Sequence, residues 1–162
     1  MRKLAFFAPL AAVLAVAATP AMAEPASIHV TVGDELQVDE LGQRDVQEQA
    51  VRLENAVRRA LARTGALDGA HIELVLTDLK PNRPTFQQMV DRPGLDGLRS
   101  LSIGGATIEG QITTADGRTQ PVRYDWYSSS LAEVRGAHTW QDADRAYRRL
   151  AGNLAEGRYF TR

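Results

Sequence analysis

Three stretches of this chain alternate polar and apolar residues one by one, and none of them is apolar on both sides. In Ser27-Ile28-His29-Val30-Thr31-Val32 the residues Ile28, Val30 and Val32 share one side. At a side-chain period of two, this is a strand with a single face to bury. Residues 71–78 repeat the pattern with Ile72, Leu74 and Leu76 inward and His71, Glu73, Val75 and Thr77 outward. Val122, Tyr124 and Trp126 do the same later in the chain. A sheet built from such strands has one covered and one wet face, so its cover must come from helices on one side.

Two segments have the period that such helices need. From Asp45 onward, Val46, Ala50, Leu53, Val57, Ala60, Leu61 and Thr64 recur every three or four residues, which places them on one helical face. Glu48–Arg52 and Glu54–Arg58 are acid-before-base pairs four apart, each worth about 0.2–0.5 kcal/mol on a helix. Gly65 is placed to end this helix in a left-handed conformation. Trp140, Ala143, Tyr147, Leu150 and Leu154 trace a second apolar face, with Thr139 as the expected N-cap, Asp142 completing a short capping box, and Gly157 at the end.

The connections carry their own signals. Residues 35–44 read as a polar loop. Residues 80–99 hold Pro81, Pro84, Pro93 and Gly94 and read as an unusually long loop with one helical turn near 85–90. Leu101 and Ile103 have odd numbers, whereas Ala106, Ile108 and Ile112 have even ones. A β-bulge at Gly104-Gly105 would shift the face by one residue and keep both sets inward. Asp116-Gly117 reads as a type I′ hairpin turn, and Pro121 suits a strand at the sheet edge. The expected order is β-α-β-β-β-α: an α+β fold with two helices on one face of a four-stranded, mostly antiparallel or mixed sheet.

The N-terminus addresses the chain. Arg2-Lys3, an apolar run of about fifteen residues, and Ala21-Met22-Ala23 form the zones of a secretory signal peptide over residues 1–23. The run is shorter than the ~20 residues of a membrane-spanning helix, so no transmembrane anchor is expected. Cleavage after Ala23 would leave residues 24–162 as a single α+β domain, with the periplasm as its compartment. The chain has no Cys, which excludes disulfides, thiolate chemistry and a lipidated N-terminal Cys. It carries 19 basic against 20 acidic residues, and two of the basic ones are Arg2 and Lys3. The mature chain is therefore net acidic, and nucleic acid is not an expected partner.

Arg83-Pro84-Thr85, Pro93-Gly94-Leu95, Gly104-Gly105-Ala106 and Thr139-Trp140-x-Asp142-Ala143 sit in a pattern of signal, strand, amphipathic helix, strands, DG hairpin and closing helix. In this pattern the chain resembles small Gram-negative envelope proteins, among them the lipopolysaccharide-assembly, transport-auxiliary and uncharacterised lipoprotein families. The resemblance implies an envelope location and an α/β fold. The chain departs from those families in lacking their lipid-anchoring Cys.

No catalytic signature is present. Ser128, Ser129 and Ser130 with His138 and Asp125 or Asp142 offer the residue types of a nucleophilic triad, without a G-x-S-x-G elbow or a Gly-rich oxyanion loop. They read as a polar strand end and a solvated histidine. His29 and His71 would meet if their strands are neighbours, with Glu73 as a third ligand; they are weak metal candidates and read as exposed polar residues. Glu35, Asp39, Glu40 and Asp45 form an acidic stretch without the desolvation that paired acid and base carboxylates need. Trp126 and Trp140 read as core. No cofactor is expected. The long loop carries Lys80, Arg83, Arg92 and Arg99, whose charges suit an anionic glycan, a lipid head group or an acidic patch on an envelope protein. The expected function is a non-catalytic periplasmic binding or assembly module, the alternative a small periplasmic hydrolase with an unrecognised active site.

Overall fold

A computed structural model describes residues 24–134 and 138–160; the expected signal peptide lies outside them. The elements are β1 (Ser27–Val32), α1 (Val38–Leu41), α2 (Gln43–Thr64), β2 (His71–Lys80), α3 (Phe86–Asp91), β3 (Gly105–Thr113), β4 (Thr119–Tyr127) and α4 (Gln141–Ala155). The four strands form one sheet in the order β1-β2-β3-β4. β1 runs parallel to β2, and the other pairs are antiparallel. This is the α+β arrangement that the one-sided strands require, with α2 and α4 packed on the same face of the sheet.

The core is the sum of the predicted faces. Ile28, Ile72, Leu74, Leu76, Ile108, Ile112, Val122 and Tyr124 from the sheet meet Val46, Leu53, Val57, Leu61, Tyr147, Leu150 and Leu154 from the helices, all buried. Gly65 closes α2 at φ 65° with its N–H on the Leu61 carbonyl. Glu54 and Arg58 pair at 2.6 Å. Glu48 instead pairs with Arg44 at 3.2 Å, and Arg52 reaches Asp144 on α4 at 3.4 Å. β4 lies at the sheet edge, as Pro121 demands, and Tyr159 accepts the Arg123 N–H at 3.0 Å beyond it.

Three local expectations are corrected. The segment before α2 is not all loop: α1 forms there because Leu36 and Leu41 have core sites to fill. The register shift lies in β2 between Leu76 and Asp78, not at Gly104-Gly105. It turns Leu79 inward after Leu76, and Leu101 and Ile103 stay outside the core. The hairpin after β3 has a three-residue loop rather than a type I′ turn. Gly117 donates to the Thr114 carbonyl at 2.8 Å, Thr114 donates to the Arg118 carbonyl at 2.9 Å, and only Gly117 has positive φ. This is a type I turn closed by a left-handed glycine. Asp116 accepts from the Thr114 hydroxyl at 2.5 Å and from Arg118 Nε at 2.7 Å.

Gly110 is the tightest point of the ladder. It sits at φ 157°, and a Cβ there would lie 2.1 Å from the Glu73 carbonyl oxygen. Gly152, inside α4, faces open space. Gly110→Ala is therefore expected to cost more than about 2 kcal/mol, whereas Gly152→Ala should stabilise by about 0.5–1 kcal/mol. Urea unfolding of both variants checks this contrast; equal effects would contradict it.

Candidate functional site

Between β2 and β3 the chain forms a strap, residues 81–104, folded largely on itself. Thr85 opens α3 with a full capping box: its hydroxyl accepts the Gln88 N–H at 3.2 Å, and the Gln88 side chain accepts the Thr85 N–H at 3.1 Å. Farther on, one oxygen of Asp96 accepts the N–H groups of Leu98 at 2.7 Å and Arg99 at 2.9 Å. These two backbone bonds hold the Asp96 carboxyl below its usual range.

The four predicted cations do not converge. Arg83 donates to the carbonyls of Gly97 at 3.0 Å and Leu98 at 2.5 Å, so its guanidinium knits the strap together. Arg92 pairs with Glu40 of α1 at 2.6 Å. Lys80 stands 3.5 Å from Asp78 and over the Tyr127 ring. The Arg99 side chain forms no ion pair among the described residues. Beside its exposed charges the strap also leaves large apolar side chains open to solvent: Leu98 is 83% exposed, Phe86 75%, Leu101 45% and Ile103 38%. Leu95, Leu101 and Ile103 join Pro81 and Pro84 around a cleft of about 320 Å³, with Lys80 and Arg92 at its wall. Reading Leu101 and Ile103 as core hid this surface in the sequence; their odd numbering was the available signal.

The strap is anchored by a buried polar hub. Asn82 uses every polar group it has. Its N–H donates to the Thr139 carbonyl at 2.7 Å, and its carbonyl accepts the Ser102 N–H at 2.9 Å. Its side-chain oxygen accepts the Asp142 N–H at 2.8 Å, while its Nδ2 donates to Asp142 Oδ2 at 2.6 Å and to the Ser102 carbonyl at 3.3 Å. Ser128 adds its hydroxyl to the same Asp142 oxygen at 2.7 Å. Asn82 thus caps α4 from sixty residues away, in place of the Thr139 cap expected from local sequence; α4 has no side-chain cap of its own. Gly104 is needed for this approach, since a Cβ there would stand 2.6 Å from the Asn82 amide nitrogen.

This hub disposes of the triad. The Ser128 hydroxyl faces Asp142 rather than an imidazole, and His138 lies 3.8 Å from Asp144. Asp125 is exposed on β4. β1 and β2 are neighbours, as the metal candidates require, but His29 is in register with Glu73, while His71 is in register with Ser27 and bonded to it at 2.8 Å. No group of three metal-ligating side chains comes together among the described residues. Trp140 is buried, and Trp126 lies beneath the guanidiniums of Arg145 and Arg149.

Comparison with protein-family models and with curated proteins finds no match for this chain.

Because the Asp96 carboxyl is depressed by bonds made only in the folded strap, its contribution is complete above the ordinary value of 3.8 and is lost as pH falls through the folded value. In an NMR titration the Leu98 and Arg99 amide signals are expected to move together, with a midpoint below 3.8. A midpoint at or above that value would contradict the turn geometry.

Proposed function

We propose that the protein is a non-catalytic binding or assembly module of the bacterial envelope, working in the periplasm, and that it docks an envelope protein through the strap. The supporting observation is the apolar set Leu95, Leu101 and Ile103 around one cleft, with Leu98 exposed on the same strap, held on a backbone that is already folded by its own hydrogen bonds. Large apolar side chains grouped on one surface are the usual mark of a protein contact. A surface ordered before binding also loses less entropy when it docks. Arg99 and the walls contributed by Lys80 and Arg92 would supply the polar rim, so the partner's surface is expected to be apolar at the centre and acidic at its edge. The signal sequence and the pattern shared with envelope proteins support the location. The Ser128–Asp142 contact weighs against the hydrolase alternative, because that hydroxyl is engaged by a carboxylate.

Leu98→Asp with Leu101→Asp should abolish co-purification of an envelope protein with the tagged mature chain. As exposed changes they should alter stability by no more than about 0.5 kcal/mol each. Retention of the partner by the folded double variant would refute the strap as the docking surface.

A further inference from the structure

On the outer side of the helix layer, α2 and α4 run parallel. Arg52 meets Asp144 near the start of α4, and Arg59, about two turns farther along α2, shares a wall with Arg148, one turn farther along α4. Between them lies a groove in two connected parts. The wider part, about 570 Å³, has a floor of Ala56, Ala60, Ala62 and Ala151 beneath Arg59, Arg63 and Arg148. The narrower part, about 250 Å³, continues past Asn55 to Tyr147, with Arg52 and Asp144 beside it. No residue of the strap lines either part.

Two independent features of this groove lack a partner. The first is charge. Asp144 is met by Arg52 at 3.4 Å and by His138 at 3.8 Å. Among the described residues no carboxylate lies within ion-pairing distance of Arg59, Arg63 or Arg148. Arg63 donates its Nε to the Arg59 carbonyl, which holds two like charges one turn apart on α2, an unfavourable pairing for an isolated helix. Arg148 brings a third from the facing helix. This concentration of positive charge runs against the acidic balance of the mature chain.

The second is the Tyr147 hydroxyl. Tyr147 is buried and its oxygen has no hydrogen-bond partner, yet the side chain lines the inner end of the groove. Burial and the neighbouring Asp144 carboxylate both raise its pKa, so it remains a protonated donor. A buried hydroxyl without an acceptor is costly to keep, and since its oxygen is closed to solvent in the free protein, an oxyanion would supply one by displacing the groove wall beside it.

We propose that this groove binds a phosphate monoester. Arg59 and Arg148 would grip the phosphate oxygens from the two helices, in the forked geometry suited to guanidinium. Tyr147 would donate to an inward-facing oxygen, and the alanine floor would accommodate the carbon chain next to the ester. Arg52 is held by Asp144, which keeps that carboxylate from opposing the anion. A doubly charged phosphate matches three uncompensated guanidiniums better than a singly charged carboxylate does. The site is separate from the strap and does not depend on the docking role assigned to it.

The test is an NMR titration of the mature chain, in parallel, with inorganic phosphate, with short-chain phosphatidic acid below its micelle concentration, and with acetate. Phosphatidic acid should shift the Arg59 and Arg148 side-chain signals and the Ala60 and Ala151 methyls. Arg59→Gln with Arg148→Gln should weaken binding at least about tenfold without lowering the melting temperature, since it relieves repulsion. Tyr147→Phe should weaken binding severalfold while raising the melting temperature of the free protein. Tighter binding of phosphatidic acid than of inorganic phosphate supports an ester carried on an apolar body; equal affinities would overturn the ester and leave a free-phosphate site only. Shifts from acetate as large as those from both phosphates, no shift with either phosphate, or undiminished binding in the double arginine variant would overturn the proposal.

Discussion

One buried carboxylate organises the connections of this molecule. Asp142 lies in the first turn of α4 with no exposure to solvent, and it accepts hydrogen bonds from Asn82 and Ser128 on the same oxygen. A carboxylate placed there is favoured by the helix dipole, but removing it from water requires donors in fixed positions. Those donors come from the start of the strap and from the end of β4. The carboxylate therefore ties together three segments far apart in sequence. Its second oxygen has Arg145 only at 3.8 Å and no hydrogen bond, so the two bonds to Oδ2 carry most of the compensation. Removing one partner of such a buried group commonly costs about 3–5 kcal/mol.

The rest of the architecture follows from how each surface is used. The helix-covered face of the sheet is apolar and holds the core. The open face is laced across its strands, with Gln111 donating to Glu73 at 2.7 Å and the Tyr127 hydroxyl bonded to Asp78 and Thr107 at 2.7 Å each. The Tyr127 hydroxyl is kept protonated by its burial and by Asp78. Such cross-strand pairs stiffen the sheet without covering it. The strap can then present apolar side chains outward, because its own polar groups are satisfied within it and by the hub.

Much of the fold was legible because it obeys local rules. β1 and the two main helices follow their periodicities, and Gly65 and Gly157 take the left-handed φ that ends those helices. What was not legible depends on residues distant in sequence. The cap of α4 comes from Asn82, which nothing near Thr139 could announce. Gly104 and Gly105 looked like a bulge, but Gly104 makes room for the Asn82 amide, and a Cβ at Gly105 would meet the Trp126 carbonyl at 2.2 Å. The real bulge, at Thr77, left only the odd-numbered Leu79 as a trace, beyond the point where alternation seemed to stop. The candidate surfaces were legible to a similar degree. The strap was singled out by its length and prolines. Its cations read as binding groups in the sequence, whereas Arg83 bonds the Gly97 and Leu98 carbonyls and Arg92 pairs with Glu40, because sequence shows charges but not the carbonyls and carboxylates they meet.

A double-mutant cycle on Asn82→Ala and Asp142→Ala, followed by amide hydrogen exchange, addresses the hub directly. If it couples the strap to α4, the two changes should be strongly non-additive, with an interaction energy of about 1.5–3 kcal/mol. Each single variant should also lose protection at the Leu98, Arg99 and Ser100 amides while β2 and β3 keep theirs. Effects that add to within about 0.5 kcal/mol, with strap protection unchanged, would show instead that the strap and α4 fold independently of Asp142.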